Sequence, residues 1–337
     1  MRIAILYNPR SPQDSSAADD AFEEYDGPGT IAAIAQALAA AGTEAVPVPA
    51  DAEFPARLAQ GSFQFVFNIA EGAGRRCREA VPAAICEFLG LPFTGSDALT
   101  LALTLDKAMA RRVVSPDVPV ARGMLVDGEV DESWLRGLRY PVIVKPNDEG
   151  SSKGIRRDSL CADARAAAGR CAWVRERYGC PVLVEEFLPG AEVTVGVRGN
   201  GRAASLIGLM EIAPAEASGS AFVYGLEAKR DYLRQVRYHV PPRLRQVELD
   251  AIGALALVAY GLLGCRDIAR LDFRLDAAGR PHFIECNPLP GLNPESSDLV
   301  ILSRAARADD PEAYPHLVQG ILRDALQRCG MAMPSFA

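Results

Sequence analysis

Histidine is scarce: the 337 residues include three, too little material for a His-based metal centre. Cysteine is present but unpatterned. The eight thiols, at 77, 86, 161, 171, 180, 265, 286 and 329, show no CxxC and no regular spacing, which fits a reducing cytoplasm better than a disulfide framework. No Lys/Arg-rich run occurs and the net charge is −7, so no nucleic-acid partner is expected. The longest apolar stretch, AIGALALVAYGLLGC at 251–265, is too short to cross a bilayer. The opening MRIAILYNPR enters a strand-like run without the layout of a signal peptide. Two nucleotide-binding fingerprints are absent as well: there is no GxxxxGK(S/T) loop and no G-x-G-x-x-G. What remains is an ordinary globular composition, 49% apolar and 23% charged, expected to be cytoplasmic with no membrane partner.

The length exceeds one simple core and predicts two or three domains. RIAILYN (2–8), TEAVPVPA and FQFVFNIAEG read as strands. TIAAIAQALAAAG (30–42) and REAVPAAICEFLG read as helices closed by Gly42 and Gly90. This alternation predicts a parallel α/β sheet over the first hundred residues. SDALTLALTLDKAMARRVV (96–114) is amphipathic, with Ser96 or Asp97 as its cap. Strand, helix, strand, glycine loop, helix (161–177) and strand follow to about 183. Beyond that strands dominate, giving the C-terminal half α+β character, with a long helix at 242–264 and two short helices at the end. The boundaries lie near 103 and 183, giving segments 1–103, 104–183 and 184–337. Residues 213–240 form a long irregular stretch of the kind that carries function.

Four stretches could carry chemistry. In RLDFRLDAAGRPHFIECNPLPG (270–291), a hairpin closed at Asp276 and Pro281 sets Asp272 opposite Glu285 and Arg270 opposite Asn287. Two carboxylates and an amide oxygen on one face suit a hard divalent cation, or form an acidic surface face, with Leu271, Phe273, Phe283 and Ile284 on the core side. In VIVKPNDEGSSKGI (142–155), Lys145 ends a strand before a small-residue loop whose N–H groups could close around phosphate, or which is a surface turn. In VLVEEFLPGAEVTVGV (182–197), Glu185, Glu186 and Glu192 could accept from an adenine amino group or ribose hydroxyls, or form a solvated acidic turn. Lys107 in LTLDKAMARR is, alone, a helix lysine beside Asp106.

Taken in order, these stretches resemble the ATP-grasp superfamily, most closely the D-alanine–D-alanine ligases and their relatives. REAVPAAICEFLGLPFTGSDALTLALTLDKAMARR, EGSSKG, VEEFLPGAEVTV, YGLEAK and RLDF…IECNPLPG carry the resemblance over nearly the whole chain. It implies a three-domain architecture, with ATP between the central and C-terminal domains and loop 147–154 closing over the phosphates. By resemblance, Lys107, Lys145 and Lys229 contact phosphates, with Ser151 and Ser152 in the covering loop. Glu185, Phe187 and Leu188 line the adenine pocket and Glu192 meets the ribose. Asp272, Glu285 and Asn287 hold two Mg²⁺ ions, with Mn²⁺ a substitute. Arg270 and the Gly291 N–H stabilise an oxyanion, and Ser296 holds the second substrate's carboxylate. The implied reaction passes through an acyl phosphate that an amine attacks, and relatives are commonly homodimers.

The match departs from the family on the amino-acid side. YNPRSPQDSSAADD stands where the family has Gly-Gly-x-Ser-x-Glu, and neither Asp14 nor Glu23 takes that glutamate's place with certainty. Glu71 replaces a usual histidine and could pair with a substrate ammonium. Arg230 replaces a tyrosine and could bind an extra carboxylate bidentately. Lys153 replaces a hydrophobic residue, and Leu292-Asn293 replaces Met-Thr. These changes point first to a ligase of a specialised, non-cell-wall pathway acting on small carboxylate and amine substrates. D-alanine–D-alanine ligation in peptidoglycan synthesis comes second. A catalytically inactive ATP-binding module is the alternative of another class.

Overall fold

The computed structural model describes residues 1–9, 20, 25–74, 76–216 and 222–333; Asp14 and Glu23 lie outside them. β1 (Arg2–Tyr7), α1 (Pro28–Ala39), β2 (Glu44–Pro49), α2 (Phe54–Gln60) and β3 (Phe65–Asn68) form a parallel sheet in the order β2-β1-β3. Parallel strands need crossovers, and the helices that supply them cover the sheet. Ile3 to Leu6 are accordingly fully buried.

α3 (Ala80–Phe88) follows and ends at Gly90, which takes the left-handed conformation at φ +66. The single helix expected over 96–114 is two, α4 (Ala98–Leu105) and α5 (Lys107–Val114). Asp106 breaks them with extended backbone at ψ 95, and its carboxylate caps α5 by accepting the Met109 N–H at 3.1 Å. The same carboxylate takes the Asn147 amide at 2.7 Å and Arg76 at 3.0 Å. Lys107 therefore starts a helix tied through Asp106 to Asn147. The expected boundary at 103 falls inside α4.

β4 (Gly123–Val126), α6 (Glu132–Leu135), β5 (Val142–Pro146), β6 (Leu160–Cys161), α7 (Ala164–Tyr178) and β7 (Val182–Glu186) build an antiparallel sheet, β4-β7-β5-β6. The inward valines of β5 and β7 pack on Ala167, Cys171 and Val174 of α7. The expected boundary at 183 cuts β7, whose partners β4 and β5 both belong to this sheet.

The remainder is β8 (Glu192–Arg198), β9 (Ser205–Pro214), α8 (Leu226–Arg230), α9 (Tyr232–Gln235), β10 (Val236–His239), α10 (Gln246–Leu262), β11 (Ile268–Leu275), β12 (Pro281–Asn287), α11 (Asp298–Ala306) and α12 (Ala313–Arg328). Its sheet runs β10-β9-β8-β11-β12, all antiparallel. α10 covers one face, with Ile252, Ala256 and Tyr260 against Val195, Leu271 and Phe273. α11 and α12 turn back to the N-terminal sheet, where Leu299, Val318 and Ile321 share a core with Ile3, Ile34 and Phe65. Among the described residues no helix is long and apolar enough to cross a membrane.

The hairpin pairs Asp272 with Glu285 and Arg270 with Asn287, as expected. It closes one residue earlier, with Leu275 opposite Pro281, and a β-bulge between Asp272 and Phe273 restores the register. Phe273 faces Phe283, so Ile284 is the extra residue. A bulge re-aims side chains, and Ile284, expected on the core face, lines the cavity described below instead.

Candidate functional site

The second and third sheets enclose a cavity reached by β5, β7, β8, β11, β12 and the segment before α8. Lys145, Ser151, Ser152, Glu185, Phe187 and Leu188 line one part of it. Glu192, Lys229, Arg270, Asp272 and Glu285 line the rest. Lys107 stands behind this lining, with Nζ 3.4 Å from Glu285 and bonded to the Glu149 carbonyl. Five other candidates are not among the lining residues: Asn287, Gly291, Ser296, Glu71 and Arg230. Gly291 and Ser296 are exposed in the turn before α11, Arg230 is exposed at the end of α8, and Glu71 is half-buried after β3.

Strand alternation places Lys145 of β5 beside β7, where Glu185 takes both it and Arg111 of α5 as ion partners. All three are buried, and two cations on one carboxylate leave a single positive charge in excess beside the cavity. Glu192 pairs with Arg274 at 2.8 Å, yet burial pushes its carboxyl up to about 7. Arg274 also donates to the carbonyls of Leu188 and Phe222, each at 2.7 Å, and lies 4.5 Å over the Phe187 ring. It thereby fixes the Phe187–Leu188 wall.

On the hairpin, the cation between the facing carboxylates is Arg270, 2.9 Å from Asp272 and 3.6 Å from Glu285. The Thr194 hydroxyl donates to Asp272 at 2.8 Å. Burial alone would raise the Glu285 carboxyl, but Lys107, Arg270 and Lys145 hold it down at about 2. Burial pushes Asp272 the other way, above the usual carboxylate range, with the Glu285 charge adding to the rise. The donor set is all oxygen, and Asn287 is oriented by accepting the Leu289 N–H at 2.9 Å. Among the described residues no three His, Cys, Asp or Glu side chains group as a metal site. The two carboxylates and the Asn287 amide oxygen would still suit Mg²⁺, which takes few carboxylates and completes its shell from substrate phosphates and water.

In loop 147–154, Ser151 (φ 49), Ser152 (φ 59) and Gly154 (φ 72) are all left-handed, a costly choice for the two serines. The loop is held by the Lys153–Glu149 ion pair, by Ser152 Oγ donating to the Tyr224 carbonyl at 3.2 Å, and by the Gly154 N–H donating to Asp20 at 3.2 Å. Lys153 is buried.

Arg111, Thr194, Tyr224, Arg274 and Asp298 also shape the site and were not singled out from sequence. Asp298 reads as an acid in the first turn of a helix, favourable for that reason alone. Arg274 shares the alternation that exposed Arg270 and Asp272, so its face was legible; its partners were not.

The family model described as D-ala D-ala ligase C-terminus matches residues 121–322. The D-alanine–D-alanine ligase of Moorella thermoacetica is 32% identical over 308 residues, 88% of this chain and 93% of that one. The Bordetella pertussis enzyme of the same name is 31% identical over 326 residues, 96% and 95% of the two chains. Among solved structures, D-alanine–D-alanine ligase from Bacillus anthracis gives a TM-score of 0.74 at 19% identity, covering 97% of this chain and 98% of that one. Its complex with ATP gives 0.71 at 18% identity.

Proposed function

The chain belongs to the D-alanine–D-alanine ligase family and has its ATP-grasp fold, and from that premise we propose that it joins two D-alanine molecules. It is an ATP-dependent, ADP-forming ligase that makes a C–N bond between a carboxylate and an amine. The observation that carries the substrate is that relatives matching 88–96% of the chain are D-alanine–D-alanine ligases. This reverses the order suggested by the substrate-side departures, which put a specialised acid–amine pair first.

A carboxylate acylates poorly because oxide is a poor leaving group. Its oxygen attacks the γ-phosphorus of ATP, ADP leaves, and an acyl phosphate forms. The amine nitrogen then attacks the acyl carbon, phosphate leaves and the nitrogen loses a proton. Lys107, Lys145 and Lys229 neutralise the phosphates, and Ser151 and Ser152 cover them. Glu185, Phe187 and Leu188 form the adenine wall that Arg274 braces, and Glu192 takes the ribose. Asp272, Glu285 and Asn287 would hold two Mg²⁺ ions, which when bound supply positive charge to the transferring phosphoryl group. Arg270 with the Gly291 N–H stabilises the oxyanion, and Ser296 takes the second substrate's carboxylate. We assign the same three-part division, with seams moved from 103 and 183 to the ends of α4 and β7, and a homodimer.

Phosphate release with D-alanine as sole substrate, with mass detection of the dipeptide, tests this reading. Silence there, with release for another acid–amine pair, moves the assignment to a specialised ligase, which Glu71 and Arg230 favour. Silence for every pair leaves an ATP-binding module.

A further inference from the structure

Asp298 opens α11, is 6% exposed, and lines the same cavity as Arg270. Its Oδ1 accepts from two phenols, Tyr224 at 3.3 Å and Tyr238 at 3.2 Å, and the phenol oxygens lie 3.0 Å apart. Its Oδ2 stands 3.6 Å from Arg270 Nη1, beyond the roughly 2.7–2.9 Å of a charge-assisted hydrogen bond. Arg270 gives its short bonds, 2.9 and 3.2 Å, to Asp272. A carboxylate has about four acceptor positions, so Oδ2 keeps capacity. Among the described residues no other group bonds it.

A buried anion that is fixed in place but incompletely matched is a receptor for a cation. Asp272 and Glu285 have a metal task; Asp298 has none. We propose that Asp298 receives the protonated amine of the second substrate, with Tyr224 and Tyr238 locking the carboxylate towards it. One ammonium proton passes to solvent before the freed lone pair attacks the acyl carbon, and a second leaves after the bond forms. The proposal rests on the ligase reading, because amide formation is what brings an ammonium group beside Arg270. It assigns the substrate class: an amine that is cationic at neutral pH is preferred over an uncharged nucleophile.

The test is a competition for the acyl phosphate in one tube, between D-alanine and hydroxylamine, which is largely uncharged at neutral pH. If the panel above identifies another acid–amine pair, that pair replaces D-alanine. In Asp298→Asn the peptide-to-hydroxamate ratio should fall about 10- to 100-fold, the effect of losing one charge-assisted contact, and Asp298→Glu should recover part of it. The ratio is independent of how much enzyme folds. The double variant Tyr224→Phe/Tyr238→Phe keeps the buried carboxylate and should shift the ratio the same way by about threefold or more. Unchanged ratios in these variants overturn the proposal and leave Asp298 as a counter-ion of Arg270. A parent chain that makes neither product overturns the ligase reading, and this one with it.

Discussion

The two ends of the cavity differ in how they are built. At the proposed nucleotide end, Lys145, Glu185, Phe187, Leu188 and Glu192 sit on or beside β5, β7 and β8, and every one lines the cavity. The residues proposed for the amino-acid substrates, Glu71, Arg230 and Ser296, lie in a loop, at a helix terminus and in a turn, and none is in the lining, whereas Tyr224 and Asp298 are. A strand's period of two fixes which side chains share a face before any tertiary contact forms. A loop or helix start has no such rule, and its direction is settled by what packs on it. Of the residues we assign to ATP, those on β5, β7 and β8 are therefore fixed by strand alternation, whereas Lys107, Ser151, Ser152 and Lys229, like the substrate-side candidates, stand on helices and loops between strands.

The largest expected effect falls where the two ends meet. Arg270 is anchored by Asp272 and approached by Glu285 and Asp298, whose charges raise its pKa further against the cost of burial. If Arg270 is the oxyanion donor we propose, its removal should cost about 2.7–4 kcal/mol, or 10²- to 10³-fold in kcat. Arg270→Ala should show this loss with the far-UV circular dichroism of the parent. Turnover above about a tenth of the parent's would take Arg270 out of the reaction and dissolve the junction between the two ends.

The same contrast governs what the sequence could tell. The facing of Asp272 on Glu285 followed from alternation and a turn, and held because a bulge at Ile284 offset a turn closed one residue earlier. No sequence rule locates that bulge, so Ile284 was assigned to the wrong face. The helix over 96–114 was legible as apolar periodicity, but its break was not. Asp106 favours a cap, yet only Asn147 and Arg76, brought by distant segments, hold it there. The return of α11 and α12 to the N-terminal sheet is likewise a long-range packing choice. Asp298 was hidden because an acid at a helix start explains itself.

A middle-sized effect sharpens the nucleotide end. Burial raises the Glu192 carboxyl from 4.5 to about 7. Across that window the folded chain holds a proton that the unfolded chain has released. Stability falls as pH rises, by at most about 1.4 kcal/mol per pH unit, and the penalty is absent below the unfolded value. Glu192→Gln has nothing to titrate. Its urea midpoint should lose less than the parent's across the same window, and the two curves should run parallel below it. Parallel curves throughout would mean that Arg274 alone keeps Glu192 ionised.

The smallest effect tests the amino-acid end. Arg230 is exposed at the end of α8, and exposed substitutions change free energies by about 0.5 kcal/mol or less. If D-alanine is the substrate, no second carboxylate exists for Arg230 to grip, and Arg230→Ala should move the amino-acid KM by less than about threefold. If the true acid carries an extra carboxylate, a bidentate contact is lost and KM should rise about tenfold or more. KM for ATP stays fixed in both cases, because Arg230 is not among the residues lining the cavity. A variant that changed the ATP value instead would show that α8 serves the phosphates through Lys229, and the line between the two ends would have to be drawn on its other side.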